Sequence, residues 1–372
     1  MPRRILHVGL SLNPAGTESL ILGAYRRLDR SKIQFDFAVP SGPRGPFTDE
    51  VIGLGARVFP YPVPSAIRPW PFDRAIRRIL REHGPFHGVH AHNYYRSGTV
   101  VRLAAAERVA LRITHSHFTE DGVTTSLYRR LYRGYARRLI DAHATHQLGC
   151  SRDACESLYG AGCWTDPRTA VLHNGIDLSV FETLDPEGRA LRQELGLRAD
   201  AVLVGHVGRF APQKNHGFLV EVFAELARRL NDAVLILVGA GPLRPQVEQQ
   251  VRGLGLEERV RFVGLRTDLP GVLASLDVLA LPSLYEGFPL VLVEAQAAGT
   301  PSVVATTVTR EADLGTGLMR FVDLGDAPNW AGQLERAIGE KRRDRAALRA
   351  LLGDAGYEIA DVTRELATLY ST

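Results

Sequence analysis

Cysteine, methionine and tryptophan are scarce, with three, two and three copies in 372 residues. Cys150, Cys155 and Cys163 are odd in number and lack metal-ligand spacing. That excludes a disulfide framework and fits a reducing compartment, so the three read as small buried hydrophobes. No apolar run approaches the ~18–20 residues of a membrane span, which excludes an integral helical membrane protein. Arg3 and Arg4 precede an apolar stretch, Ile5 to Leu12, but it is short, interrupted by His7 and runs into NPAGTE without a small-residue cleavage site. It reads as a first strand, not a secretion signal, and places the protein in the cytoplasm. GxGxxG is absent, which disfavours a dinucleotide-dependent dehydrogenase. No DxD pair is present, and no nucleic-acid recognition motif accompanies the basic residues. Low-complexity segments and short-period repeats are also missing.

What is there is ordinary in bulk. Hydrophobic residues make up 45% and charged residues 23%, as in a soluble globular protein, and the length suits two domains. Charge is unevenly placed. Residues 1–178 hold 24 Lys+Arg against 15 Asp+Glu, a net of +9, while the remainder carries a net of −5. A basic first half implies an anionic partner.

Short β-branched runs alternate with amphipathic stretches. ILHVGLSL, FDFAVP, ARVFPYPV, FHGVHAHN, LRITHSH, THQLGCS and AVLHNG read as strands in the first half. AVLVGHVGRF, AVLILVGAG, RVRFVG, DVLALPS, PSVVAT and LMRFVDL do so in the second. Apolar strands with intervening helices predict α/β architecture with doubly wound parallel sheets. The pattern breaks between Asp177 and Ala201, where the chain turns polar. We place the boundary there, giving domains 1–178 and 179–355, with ligands expected beyond the carboxyl ends of strands.

Five constellations can carry chemistry. In LPSLYEGFPLVLVEAQAAG (281–299) a strand ends at Pro282, a loop carries Glu286 and Gly287, and a helix starts near Pro289. A helix opening from a glycine-bearing loop offers free N–H groups and a positive dipole end to phosphate. Glu294 is then placed to accept from ribose hydroxyls, and Glu286 is free for another hydroxyl-rich group. In VGRFAPQKNH (207–216) Arg209 and Lys214 follow a strand and form a clamp for a diphosphate. In NPAGTES (13–19) Gly16 permits close approach, and Thr17, Glu18 and Ser19 are expected to cap the next helix. His90, His92, His115 and His117 end two strands, but lack the Cys or acid partners of a tetrahedral zinc site, so no metal is assigned; His115 is the first candidate for a polar ligand. TSLYRRLYRGYARRLID (125–141) is a basic amphipathic helix with Leu127, Leu131, Tyr135 and Leu139 every four residues, suited to an anionic membrane surface. DRAIRRILREHG (73–84) adds Arg74, Arg77, Arg78 and Arg81.

Together DRSKIQFDF (29–37), THSH (114–117), CS (150–151), NGID (174–177), VGRF-PQKNH, LVGAGPL (237–243) and EGFPLVLVEAQAAG (286–299) resemble the retaining glycosyltransferases of family four. The likeness is greatest to bacterial exopolysaccharide and capsule enzymes and extends over nearly the whole chain. It implies the GT-B fold, two Rossmann-like domains facing across a cleft, with 1–178 binding acceptor and 179–355 binding nucleotide-sugar. Residues 356–372 would form a helix crossing back to the first domain. By resemblance Glu294 binds ribose, Arg209 and Lys214 hold the diphosphate, Glu286 contacts the sugar, and Gly287, Phe288 and Leu290 cradle sugar and phosphates. His115 bonds the donor sugar, Gly16 lies in the glycine-rich loop and the nucleobase sits near Arg266. The family's first loop has two adjacent glycines, and Ala15 replaces the first.

The implied reaction moves a hexose or N-acetylhexosamine from a nucleotide-sugar, as UDP-sugar, to a saccharide or lipid-linked saccharide with retention, for surface polysaccharide. No metal or cofactor is expected, nor nucleic acid; contact with the inner membrane face is expected through 125–141. The alternatives are another GT-B activity, such as a sugar-nucleotide epimerase, and a non-catalytic two-lobed sugar-binding protein.

Overall fold

The computed structural model describes residues 1–13, 15–63, 70–117, 127–184, 189–340 and 344–372. The chain forms two units, Met1–Ile176 with Gly356–Thr372, and Asp177–Ala355. All three cysteines are buried, and none is in a disulfide.

The first unit has seven parallel strands: β1 (Arg3–Val8), β2 (Ile33–Pro40), β3 (Val58–Tyr61), β4 (Gly88–Ala91), β5 (Leu111–Ser116), β6 (His146–Gly149) and β7 (Thr169–Val171). Their order is β3-β2-β1-β4-β5-β6-β7. The second has six: β8 (Val202–Val207), β9 (Ala233–Val238), β10 (Val260–Gly264), β11 (Val278–Leu281), β12 (Ser302–Ala305) and β13 (Met319–Val322), in the order β10-β9-β8-β11-β12-β13. The two doubly wound parallel sheets expected from the strand pattern are both present. Every residue of AVLILV in β9 and VLAL in β11 is buried, which explains why these strands are apolar throughout rather than alternating.

Each sheet reverses its strand order once, between β1 and β4 in the first unit and between β8 and β11 in the second. In open α/β sheets a crevice opens at this reversal, outside the carboxyl ends of the strands. The loops after β8 and β11 are those that carry Arg209, Lys214 and Glu286.

The last helix, Ile359–Leu369, belongs to the first unit. Ile359, Val362, Leu366 and Tyr370 join the core formed by β1, β2 and the helix Gly16–Arg27. A Cβ on Gly175 would stand 2.9 Å from Val362 Cγ2 and 3.0 Å from Ile359 Cα. The glycine of NGID thus lets the two segments meet, and Ile176 N donates to Tyr357 O at 2.8 Å. Among the described residues no helix is long and apolar enough to cross a membrane.

Candidate functional site

In the second unit, the chain leaves β8 through Gly208, Arg209 and Phe210. It then forms a 3-10 turn, Pro212–Lys214, and enters the helix His216–Arg229 through left-handed Asn215. The turn after β9 fixes this path. Gly208 N donates to Val238 O at 3.0 Å, Phe210 N to Ala240 O at 3.0 Å, and Leu243 N to Phe210 O at 3.1 Å. Gly239 and Gly241 have φ of +139° and +158°, and a Cβ on them would stand 2.1 Å from Gly208 O and 2.5 Å from Phe210 O. Only glycine allows that approach of backbone to backbone. The LVGAGPL motif therefore sets the course of the loop carrying Arg209.

Lys214 lays its aliphatic stem against Gly208, where a Cβ would be 3.0 Å from its Cδ and Cε. Its ammonium donates to Glu286 Oε1 at 2.5 Å. Gln213 Nε2 donates to Glu286 Oε2 at 3.1 Å and to Tyr285 O at 2.9 Å, and Leu284 N donates to Gln213 O at 2.8 Å. The two loops are therefore joined, and Glu286 is only 8% exposed. This corrects the expectation that Glu286 stands free: both its oxygens are engaged within the protein. Lys214 is also paired rather than open, although an ammonium has three donors. Arg209 is exposed, and its guanidinium has no hydrogen-bond or ion-pair partner among the described residues.

Gly287 and Phe288 lead into the helix Leu290–Ala298, whose N-cap is Pro289. The helix thus starts where expected, with Pro289 extended (ψ 94°) just before its first residue. No side chain caps it, so its first turn offers N–H groups and a positive dipole end. Phe288 and Leu290 are buried. Glu294 stands one turn beyond Leu290, half-buried, with no hydrogen-bond or ion-pair partner among the described residues. Burial without a compensating donor pushes its carboxyl up to about 7.

Arg266, in the loop after β10, does not project freely. Its guanidinium bonds Asp268, with Nε to Oδ1 at 2.8 Å, and Glu194, with an Nη to Oε2 at 2.9 Å. These carboxylates hold its pKa above the ordinary arginine value. Arg266 anchors its loop.

In the first unit, Gly16 opens the helix Gly16–Arg27, and Ala15 is its N-cap with no side-chain hydrogen bond. The expected cap by Thr17, Glu18 and Ser19 is not formed. Glu18 Oε1 instead accepts from Ser11 N at 2.9 Å and Ser11 Oγ at 2.7 Å.

The histidines form one buried group rather than two separate pairs. Parallel register sets His7 of β1 opposite His90 of β4, and alternate residues of a strand share a face. His7 Nδ1 lies 3.1 Å from His92 Nε2, and His92 Nδ1 lies 2.9 Å from His117 Nε2. His90 Nε2 lies 3.2 Å from His115 Nδ1, and His90 Nδ1 lies 2.6 Å from Tyr370 Oη. Burial drives His7 and His117 down to about 3, and His90, His92 and His115 well below their ordinary value, so all five are neutral. Ring nitrogens of His7, His90 and His92 lie within 4.8 Å of one another, as do those of His92, His115 and His117. These are the residues that would hold a metal; neither trio includes a thiolate or carboxylate.

The amphipathic segment is helical over Leu127–His143, and residues 125 and 126 lie outside the described residues. Leu127, Leu131 and Tyr135 are 71%, 66% and 55% exposed. Leu139 leaves that stripe, packing half-buried against Gly98. Arg137 donates to Leu158 O and Ser157 O at 2.9 and 3.0 Å, and Arg133 covers the Tyr95 ring. The basic face is thus narrower than its sequence implied. In the helix Trp70–His83, Arg81 and Arg77 approach Glu107, at 2.9 and 3.9 Å.

Sequence reasoning missed Gln213, His7, Tyr370 and the Gly239/Gly241 pair as site residues. His7 was recoverable from its place on the first strand. Tyr370 lies 280 residues from its partner, and no local pattern marks it.

The family model described as "Glycosyl transferases group 1" matches residues 201–340, and that described as "Glycosyltransferase Family 4" matches residues 14–180. The chain is 35% identical to the putative glycosyltransferase EpsF of Bacillus subtilis, over 99% of this chain and 96% of that protein. It is 26% identical to the Escherichia coli UDP-Gal:alpha-D-GlcNAc-diphosphoundecaprenol alpha-1,3-galactosyltransferase, over 81% of this chain and 79% of that one. The crystal structure of Anabaena HepE with UDP and glucose superposes with a TM-score of 0.79 at 23% identity, covering 100% of both chains. WaaG, a glycosyltransferase involved in lipopolysaccharide biosynthesis, gives 0.75 at 18% identity, covering 99% of each chain. These solved structures share the two-domain GT-B fold.

Proposed function

This chain belongs to glycosyltransferase family 4, and we propose that it moves a hexose or N-acetylhexosamine from a UDP-sugar to a saccharide or lipid-linked saccharide, with retention and without a metal, for surface polysaccharide. One observation carries the reading. At the order reversal of the second sheet, Arg209 and the Lys214–Glu286 pair come from two joined loops, and the helix that follows carries Glu294; among the described residues neither the Arg209 guanidinium nor the Glu294 carboxyl has a partner. A cationic pair, a helix N-terminus and a carboxylate without donors are complementary to a diphosphate followed by a vicinal diol.

In this reading Glu294 accepts from the ribose hydroxyls. Arg209 and Lys214 hold the diphosphate with the N–H groups around Gly287, Phe288 and Leu290. Glu286 orients Lys214 and meets the donor sugar. The nucleobase lies by the loop that Arg266 anchors. Gly16 and His115, in the first unit, are carried by the family resemblance as candidate contacts to the donor. Breaking the bond from the anomeric carbon to the diphosphate builds negative charge on phosphate, and fixed cations and helix N–H groups stabilise that charge. Such side chains supply the role a divalent ion has elsewhere. The acceptor hydroxyl attacks from the leaving-group face, so no covalent nucleophile is required.

The basic first half and the exposed Leu127, Leu131 and Tyr135 support a further part of the reading, docking of this helix on an anionic bilayer that presents the acceptor. The testing experiment incubates the protein with UDP-hexoses, EDTA and lipid-linked saccharide acceptors. An α-linked product from an α-linked donor, formed in EDTA, is expected. A product with inverted configuration, or one that requires metal, contradicts the mechanism.

A further inference from the structure

Tyr370 is the last aromatic residue of the chain, at the C-cap of the helix Ile359–Leu369, and is fully buried. Its ring stands edge-on to Phe35 and His7, with centroids 5.6 and 6.2 Å away, so its hydroxyl is held in one place. That hydroxyl has one hydrogen-bond partner among the described residues, His90 Nδ1 at 2.6 Å. The other nitrogen of His90 meets His115 Nδ1 at 3.2 Å. His115 Nε2 is buried and has no hydrogen-bond partner among the described residues.

Proton counting orients this chain. A neutral imidazole has one N–H and one acceptor nitrogen. If His90 Nδ1 donated to Tyr370, the tyrosine proton would be buried without an acceptor among the described residues, which is unfavourable. Tyr370 therefore donates, His90 accepts at Nδ1 and carries its proton on Nε2, and that N–H donates to His115 Nδ1. The remaining proton of His115 must then be on Nε2. The neighbouring chain His7–His92–His117 has no such orienting end among the described residues, where His7 Nε2 and His117 Nδ1 both lack a partner.

We infer that Tyr370, acting through His90, fixes the proton of His115 on Nε2, so that His115 meets its ligand as a hydrogen-bond donor and not as an acceptor. That the ligand is an oxygen of the donor sugar rests on the function proposed above. Tyr370 and His90 are positioning residues. The C-terminal segment that closes the first core thus also sets the hydrogen-bonding sense of a site residue on β5.

The test is the nitrogen spectrum of histidine-labelled protein, with the His115 signals assigned by their loss in His115→Gln. The wild-type protein is expected to show an Nε2–H tautomer at His115, a readout that needs no folded Tyr370 variant. In Tyr370→Phe a second His115 tautomer should appear, and kcat for transfer should fall about tenfold with the Kd for UDP unchanged. An Nδ1–H tautomer in the wild type overturns the inference. So does a His115 spectrum and kcat indifferent to Tyr370→Phe, or stoichiometric metal in the purified protein with metal-shifted nitrogen signals. If the tautomer is as stated but no UDP-sugar binds, the relay stands and the donor reading fails.

Discussion

Lys214 donates to Glu286 across 2.5 Å, and the pair joins the loop after β8 to the loop after β11. Their side chains are 16% and 8% exposed, so each depends on the other for neutralisation. Removing one partner of such a pair leaves an uncompensated charge and costs about 3 kcal/mol or more. Lys214→Met should therefore lower the melting temperature more than the double variant Lys214→Met/Glu286→Gln. A double-mutant cycle by denaturation checks this, and additive effects would show the pair to be uncoupled. Both single variants should also lose transfer by at least a hundredfold.

Glu294 gives a pH-dependent prediction. Its carboxyl ordinarily titrates at 4.5 and burial raises it to about 7. Between these values the folded protein holds the extra proton, so stability falls as pH rises through the window. Glu294→Gln removes that loss. The variant should be more stable than the parent at pH 8, by about 1–3 kcal/mol, and equal to it at pH 4. Hydroxyl donors from a ribose favour the ionised form, so binding of UDP-glucose near pH 7 should release a proton. UDP-glucose is the suitable probe because its diphosphate does not titrate there. Calorimetry in two buffers of different ionisation enthalpy measures the release, and Glu294→Gln should abolish it.

Gly239 and Gly241 make a prediction without charge. Alanine at position 239 would place a methyl 2.1 Å from Gly208 O, and at position 241 one 2.5 Å from Phe210 O. The loop carrying Arg209 must move, so UDP affinity should fall at least tenfold while β9, whose strand bonds precede the turn, keeps its fold. Gly271→Ala is the control, because a Cβ there meets nothing within 4 Å. Equal affinities for all three variants would remove the glycine turn from the site.

The exposed stripe of Leu127, Leu131 and Tyr135 predicts co-sedimentation with vesicles containing anionic lipid and none with zwitterionic vesicles. Leu131→Asp should abolish it without changing the melting temperature, since Leu131 is 66% exposed. Loss with Leu131→Asp but persistence in high salt would assign the binding to apolar insertion alone.

The two sheets were legible because short apolar or β-branched runs, such as AVLILV in β9 and VLAL in β11, alternate with longer amphipathic stretches. Arg209, Lys214, Glu286 and Glu294 were legible because each follows a strand end or opens a helix. The commitments of these side chains were not. That Glu286 is held by Lys214 and Gln213, or that Arg266 is pinned by Glu194 and Asp268, depends on which loops meet. Sequence spacing within one loop carries no information about its neighbour. The histidines are the plainest example. Two pairs read as separate strand ends become a group of five once β1, β4 and β5 lie side by side, and Tyr370 joins them only because the chain returns to its first unit.

The most direct measurement is thermal shift of the protein with UDP and GDP in EDTA, for the parent and for Arg209→Ala and Glu294→Ala. Saturating a site at a hundredfold excess over Kd adds about 2.7 kcal/mol, which is readily detected. The account predicts a shift with UDP, without metal, that both substitutions remove. No shift with UDP at millimolar concentration, or an undiminished shift in both variants, would contradict the assignment of the donor site to the loops after β8 and β11.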